Sequence, residues 1–501
     1  MKQESLKMRT KNKSLMWIGI KQKVVFVLST VRFSLRISVK VNERFGPVTL
    51  FVIICFPIFI SFLSTVFMGV AVGASDPEHE EVSAQENTQE GLLPVPNYSG
   101  DWKTRPFLAG DWGGKRQELA DKGFTFDLEW YQVGQGVVSG GRDERWAYVT
   151  NLDYYINLDL MRMGVLPGAL ISFRGQSRFG NTVNGDTGLL QPVNTYSFFP
   201  LTTTLDEDEP IAVTELNYLQ FFSDKVGLLL GKITTMGNAN EFSGGEGRSQ
   251  FMNYQFIYPS AFAQVTPYST LAVGGLWLPS PKVTVTTLLM NTKDSSTTSG
   301  FNDIGEGTSW WTSVDTQHRL GTLPGGMTLG GIYAFDGDFA QIGGINIDPG
   351  DGISLEQKSE AWAVYWNAWQ YLFAKGDPPE NIDPTDGRQD LEGLGVFAML
   401  GLGDRDTNPV SWSVAAGLSG RGLIAGRGDD TCGLGYFYNS LQDPRSIVLN
   451  RLGSSAQGLE LYYNVAITKS VALTLNGQWA RSAVRRFDDS IVLGSRLNIS
   501  F

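Results

Sequence analysis

Beyond Ala74 the chain alternates between apolar and polar positions with period two. In 124–132 Phe124, Phe126, Leu128 and Trp130 fall on one side and Thr125, Asp127, Glu129 and Tyr131 on the other. In 151–160 Leu152, Tyr154, Ile156, Leu158 and Leu160 oppose Asn151, Asp153, Tyr155, Asn157 and Asp159, and near the end Leu459, Leu461, Tyr463, Val465 and Ile467 oppose Glu460, Tyr462, Asn464 and Thr468. Successive side chains of a strand point to opposite faces of its sheet, so each segment predicts a strand with one apolar and one polar face. No apolar stretch after Ala74 approaches the about 18 residues of a membrane-spanning helix.

The pattern predicts sixteen strands: 124–135, 147–161, 168–179, 212–222, 226–236, 270–279, 282–291, 308–317, 325–335, 359–373, 393–403, 411–421, 431–440, 456–468, 471–483 and 490–501. Many run to about 10–12 residues, enough to cross a bilayer when tilted and longer than the mode of about 5–6 in soluble sheets. The Trp310-Trp311 pair and the run WAVYWNAWQYLF at 362–373 fit interfacial aromatic girdles. The fold class expected is all-β, a transmembrane antiparallel β-barrel of about sixteen strands with a short N-terminal periplasmic helix. An even strand number puts both barrel ends on the periplasmic side. Short connections at 223–225, 279–281 and 468–470 and long ones at 180–211 and 237–269 agree with that, whereas 374–392 and 404–410 invert the expected lengths. Sixteen strands enclose an aqueous channel, where eight would fill with side chains.

Ahead of the barrel, 47–74 is an uncharged run preceded by Arg32, Arg36, Lys40 and Arg44 and ending in Val72-Gly73-Ala74, the order of a secretory signal cleaved after Ala74. The run is also long enough to span a bilayer, so an uncleaved anchor stays open, as does a start at Met8 or Met16. Cys55 lacks the small-residue context of a lipoprotein signal. From Ser75 to about 104 acidic residues dominate and bulky apolar ones are few, which reads as a flexible linker. The domains expected are therefore a signal peptide with a long basic leader (1–74), an acidic flexible linker (75–104) and a β-barrel (105–501).

Charge and composition narrow the chemistry. From Ser75 onward 29 basic residues face 49 acidic ones, a surface that repels phosphate backbones and excludes nucleic acid as a partner. Cys55 and Cys432 are the only cysteines, so the exported part has no disulfide partner within its own chain. With His79 and His318 as the only histidines, a His/Cys metal site lacks ligands, and nothing around His318 resembles a nucleophile motif. No cofactor is expected. The acidic run 206–209 could hold a divalent cation, although its spacing matches no known loop and solvated charge is the preferred reading. The 58 glycines fit long loops and close strand approaches, or turns alone.

In a channel the chemistry is selection by lumen-facing polar groups at a constriction and by inward-folded loops. Arg174 and Arg178 share the polar face of one strand, Glu215 and Asn217 lie on a neighbouring one, and Lys232 ends the next. Fixed charges of both signs can hydrogen-bond several hydroxyls of a passing sugar, and its apolar C–H face can lie on a ring such as Tyr155. The plainer reading is that such charges only hydrate the lumen.

Three stretches sharpen this picture: LAGDWGGKRQELADKGFTFDLEW at 108–130, GLSGRGLIAGRGDDTCGLGYFYN at 417–439 and GLELYYNVAITKSVALTLNGQW at 458–479. Together they resemble the OprB family of carbohydrate-selective outer-membrane porins, with the likeness covering 105–501. The middle third, 236–390, departs most from the family's pattern. Within the first stretch Asp111 is placed to cap a helix from Trp112 to Lys122, stopped by Gly123, with Trp112 anchoring it at the periplasmic rim. The resemblance implies passive diffusion of small sugars through a sixteen-stranded porin in the outer membrane of a Gram-negative-type bacterium, with lumen charges at the constriction. Arg174 and Glu215 are the positions carried over first. The partners expected are small sugars and outer-membrane lipid, and a homotrimer is expected by analogy with sixteen-stranded porins. The alternatives are a general non-selective porin, a barrel enzyme built around His318, or a soluble periplasmic sugar-binding β-protein.

Overall fold

The computed structural model describes residues 91–501 apart from 198–209, 238, 349–351, 380–381, 383–388 and 443–451. The leader 1–74 and the acidic run 206–209 lie outside the described residues. Helix α1 (Lys115–Asp121) is followed by β1 (Phe124–Gly141), β2 (Trp146–Asp159), β3 (Ala169–Gly180), β4 (Ala212–Phe221), β5 (Val226–Thr234), β6 (Ser269–Ser280), β7 (Val283–Asn291), β8 (Thr308–Leu320) and β9 (Leu323–Asp336). After β10 (Phe339–Asp348) and β11 (Gly352–Lys358) come β12 (Ala361–Ala374), β13 (Gly393–Gly403), β14 (Val410–Arg421), β15 (Thr431–Leu441), β16 (Ser455–Thr468), β17 (Val471–Arg481) and β18 (Asp488–Ser500).

All sixteen predicted strands are present and close into one antiparallel barrel, each pairing with its sequence neighbour and β1 with β18. Among the described residues the pattern missed only β10 and β11, which form a separate hairpin while β9 pairs directly with β12. The inverted connections at 375–392 and 404–409 are real, so they do not change the count.

The two faces of the wall separate as a barrel in lipid requires. On β16 Leu459 and Leu461 are exposed on the outside while Glu460 and Tyr462 are buried inside. Leu216, Leu230, Leu402 and Leu475 repeat the outward apolar pattern on other strands. The aromatic segments do not all belong to the outer girdles. Period two sends Trp311, Tyr365, Trp369 and Tyr371 inward, where they are buried in the lumen's apolar clusters. Trp310 faces outward and donates to Thr287 Oγ1 at 2.8 Å.

At the end where β1 starts and β18 stops, α1 closes the seam. The Arg116 guanidinium is buried between Tyr98 and Phe107 and donates to the backbone oxygens of Phe126 and Phe501, both at 2.7 Å, and to Asp127 at 2.9 Å. It therefore ties the first strand to the last. The helix starts later than expected, after Gly114, because Asp111 Oδ1 accepts from Gly113 N and caps the preceding turn instead. It ends ahead of Gly123, as expected. Trp112 is half exposed, with its ring 5.2 Å from the Arg116 guanidinium. The linker reading of 75–104 fails for its last part: Leu92 and Tyr98 are fully buried, and the Tyr98 hydroxyl donates to Asp127. Hydrogen bonds from Leu93 N to Asp159 and from Arg162 to Leu93 O add to these two buried side chains in docking the stretch onto the barrel.

Candidate functional site: the constriction inside the barrel

Two connections at the end opposite α1 fold back into the lumen. The one between β5 and β6, 235–268, carries Phe242, Phe251, Phe256 and Phe262, each fully buried. Phe251 meets Phe256, Phe397 and Tyr462 at centroid distances of 4.7–5.3 Å, and Phe262 lies 4.8 Å from Tyr365. The wall makes room for these rings with glycine. A Cβ on Gly395 would stand 2.0 Å from the Phe242 ring. The described part of the second connection, 181–197, lies over the first: Thr195 N donates to Met252 O at 2.9 Å and Tyr254 N to Pro192 O at 3.0 Å.

Between the folded-in loop and β1–β4 lies a cluster of charge. Arg174 of β3 is buried and donates through Nε and Nη2 to Asp153 Oδ2 of β2, at 3.2 and 2.8 Å. It also donates to both carboxylate oxygens of Glu246 on the loop, at 3.3 and 2.8 Å, and lies 3.5 Å from Glu215 of β4. Gln176 braces Asp153, and the Tyr268 hydroxyl braces Gln176. Glu215 accepts from Thr234 Oγ1. Arg174 is thus saturated by three carboxylates, and removing one partner from a buried ionic set costs roughly 3–5 kcal/mol.

Glu246 reaches Arg174 because of its backbone. It has a left-handed φ of 53° and is flanked by Gly245 (76°) and Gly247 (83°), a run of positive φ that only glycine adopts without strain. Two residues on, Arg248 donates to the Tyr155 hydroxyl at 2.8 Å and pairs with Glu129 of β1 at 3.4 Å. Burial works against the Arg248 charge. The facing phenol of Tyr155 and the carboxylates of Glu246 and Glu129 more than offset it and hold the guanidinium protonated well above the usual arginine range. The Arg248 and Glu129 side chains keep 17% and 19% exposure, against 3% for Arg174, so they are more exposed than Arg174 within this cluster.

The other side of the loop is held mainly by its backbone. Glu460 of β16 accepts from Met252 N at 2.7 Å and Asn253 N at 2.9 Å. Arg496 of β18 donates to the carbonyls of Gly247 and Gln250, and Asn464 Nδ2 to Ser249 O at 2.8 Å. Gln478 of β17 accepts from Asn253 Nδ2 and donates to Val193 O, which joins both inward segments.

Of the residues expected from sequence, Arg174, Glu215 and Tyr155 come together here. Asn217 is buried in the lumen beside Ser172, nearer the α1 end of the barrel. Arg178 donates to Ser197 O and braces the second inward segment. Lys232 is not brought to the lumen. It pairs in register with the outward Leu216, and its ammonium donates to the carbonyls of Ser295 and Thr298, both at 2.6 Å. The run Leu228-Leu229-Leu230 is apolar on both faces, so period two could not assign Lys232 a side. His318 lies on β8 opposite Gly325, away from the cluster. The pattern also missed Glu246 and Arg248, which sit in the irregular stretch SGGEGRSQ, whereas Asp153 and Glu129 were visible on polar strand faces.

Residues 143–501 match the family described as carbohydrate-selective porin, OprB family. Porin B of Pseudomonas aeruginosa is 22% identical over 440 residues, spanning 79% of this chain and 91% of that protein. The solved high-pH structure of Pseudomonas putida OprB superposes with a TM-score of 0.67 at 20% identity, covering 80% of this chain and 100% of that one, which is a likeness of fold.

Proposed function

The chain belongs to the OprB family of carbohydrate-selective porins, and on that premise we propose that solutes are selected where Arg248, Glu129 and Tyr155 border the pore, with Arg174 holding that edge in place. The protein is an outer-membrane porin through which small sugars diffuse passively and selectively. The observation that carries the assignment is the contrast between a saturated, buried Arg174 and a partly exposed Arg248 two residues from its partner Glu246.

A neutral sugar offers both donors and acceptors. Its hydroxyls can donate to Glu129 and accept from Arg248 at the same passage, replacing water lost on entering the narrow section. A simple ion meets a repelling charge beside an attracting one. Diffusion down a gradient needs nothing more, and we read the protein as a channel with no cofactor or chemical step. Arg174, Arg178, Glu215 and Asn217 serve in this reading as the frame of the constriction. We also place the apolar outer wall against outer-membrane lipid, and expect three copies to assemble by analogy with other sixteen-stranded porins.

Swelling of liposomes containing the protein tests this reading. Glucose should enter faster than gluconate of nearly the same size, and Glu129→Gln should narrow that preference while leaving the barrel folded. Equal rates for the two solutes in the unaltered protein would leave a general porin and refute selection at this site.

A further inference from the structure

On the outer wall, at the end of the barrel opposite α1, a cavity of about 540 Å³ opens where β9 and β13 stop and β12 and β14 start. Its floor comes from side chains that point away from the lumen. Tyr333 and Trp362 stand opposite one another in the register of β9 and β12, and Leu402 and Trp412 in that of β13 and β14. Their chain neighbours Ala334, Ala363 and Ser413 are buried on the inner face. Leu402 and Trp412 are 53% and 40% exposed, so the floor is accessible from outside. The rim is charged. Lys358, at the end of the β10–β11 hairpin, donates to Asp404 at 3.1 Å and to Asp406 at 2.9 Å, and Glu360 follows it in the chain. Asp406 and Glu360 are exposed. Arg405, on the same turn, is also exposed and among the described residues has no acidic partner.

The side of the wall decides what can occupy this cavity. A sugar in transit stays in the lumen, behind the inner face, whereas the floor here belongs to the lipid-facing surface. Both ends of an even-stranded barrel are periplasmic, which puts this rim at the outer leaflet. Aromatic rings below and charge above match the depth at which headgroups meet acyl chains. An unpaired guanidinium at that depth favours a phosphate, and exposed carboxylates accept from hydroxyls. We infer that this cavity binds a phosphorylated glycolipid of the outer leaflet, with its phosphate on Arg405, its sugar hydroxyls on Asp406 and Glu360, and its acyl chains over Leu402 and Trp412. The inference rests on the reading that sets the outer wall against lipid and adds a headgroup site to it, using no residue of the constriction.

The test is binding of diphosphoryl lipid A and of its dephosphorylated form to the detergent-extracted full chain, followed by native mass spectrometry for the unaltered protein and Arg405→Gln. Folding of each barrel is checked by its heat-dependent mobility on gels. The phosphorylated lipid should bind about tenfold more tightly, and Arg405→Gln should remove that difference, as expected for one charged hydrogen bond. Glucose 1-phosphate should not displace the lipid, because it lacks the chains that Leu402 and Trp412 cover. Block of single-channel currents by glucose should be the same in Arg405→Gln as in the unaltered protein. Equal binding of the two lipids, or an undiminished preference in Arg405→Gln, would overturn the site and leave the lipid-facing wall standing. Displacement by glucose 1-phosphate would overturn the lipid as occupant, and a changed glucose block would move Arg405 to the pore. An unaltered protein that stays in solution without detergent would refute the wall reading itself.

Discussion

The inward loop is gripped by two walls that work differently. On the β1–β4 side the contacts run from side chain to side chain, with Arg174 and Glu129 of the wall meeting Glu246 and Arg248 of the loop. On the β16–β18 side Glu460, Arg496 and Asn464 bind loop amides and carbonyls, whatever side chains the loop carries. A backbone grip fixes where the loop lies, and a side-chain grip decides which charges it shows. Position and chemistry of the constriction are therefore separable, and residues 246 and 248 can change without releasing the clamp.

Substituting the walls one at a time sharpens this contrast. The largest effect is expected for Arg174→Ala, which strands Asp153, Glu215 and Glu246 at a cost of roughly 3–5 kcal/mol. Its single-channel conductance should rise and its unfolding temperature fall. Unchanged conductance would show that the Arg174 ion pairs do not set the charge presented at the pore. Next is Glu460→Leu, which orphans the N–H groups of Met252 and Asn253 at about 1–3 kcal/mol each. Here open-channel noise should grow while ion selectivity stays near that of the unaltered protein. A change in selectivity without added noise would reverse the roles of the two walls.

Packing gives a third handle. Gly395→Val drives a side chain into the Phe242 ring, an overpacking worth roughly 1–3 kcal/mol, and should shift conductance without altering the charge at the pore. Smallest is the effect of acid on the turn that ends at Asp430, outside the spanning strands. Burial there favours the protonated form, but donors from Arg427, Tyr463 and Ala466 N outweigh it and hold the carboxyl below the usual range. A lowered folded-state pKa contributes stability above the unfolded value of about 3.9 and loses it as pH falls through the folded value. Exchange of the Ala466 amide, corrected for its intrinsic rate, should quicken only below about pH 4. Asp430→Asn should reproduce that at neutral pH.

The barrel was legible in the sequence because lipid outside and water inside enforce one rule on every strand. Leu459, Glu460, Leu461 and Tyr462 state it in four residues. The rule fails where both faces are apolar, as at 228–230, and Lys232 was misplaced for that reason. It also could not separate an outward tryptophan from an inward one without strand phase and the inward loop: Trp310 faces out and Trp311 packs on Phe262. Arg174, Glu215 and Tyr155 were recognised as lumen-facing because they sit on strands. Their loop partners Glu246 and Arg248 were not, since the Gly-Glu-Gly turn that aims them has no period and its meaning depends on a wall 72 residues away in sequence.

Block of single-channel currents by glucose in Arg248→Gln tests the separation of position from chemistry most directly. With the clamp intact, conductance should stay close to that of the unaltered channel. Glucose block should weaken about tenfold, the effect of losing roughly 1.4 kcal/mol from a charged hydrogen bond. Block as strong as in the unaltered protein would contradict the account, because it would place selection outside the charged edge that the loop presents.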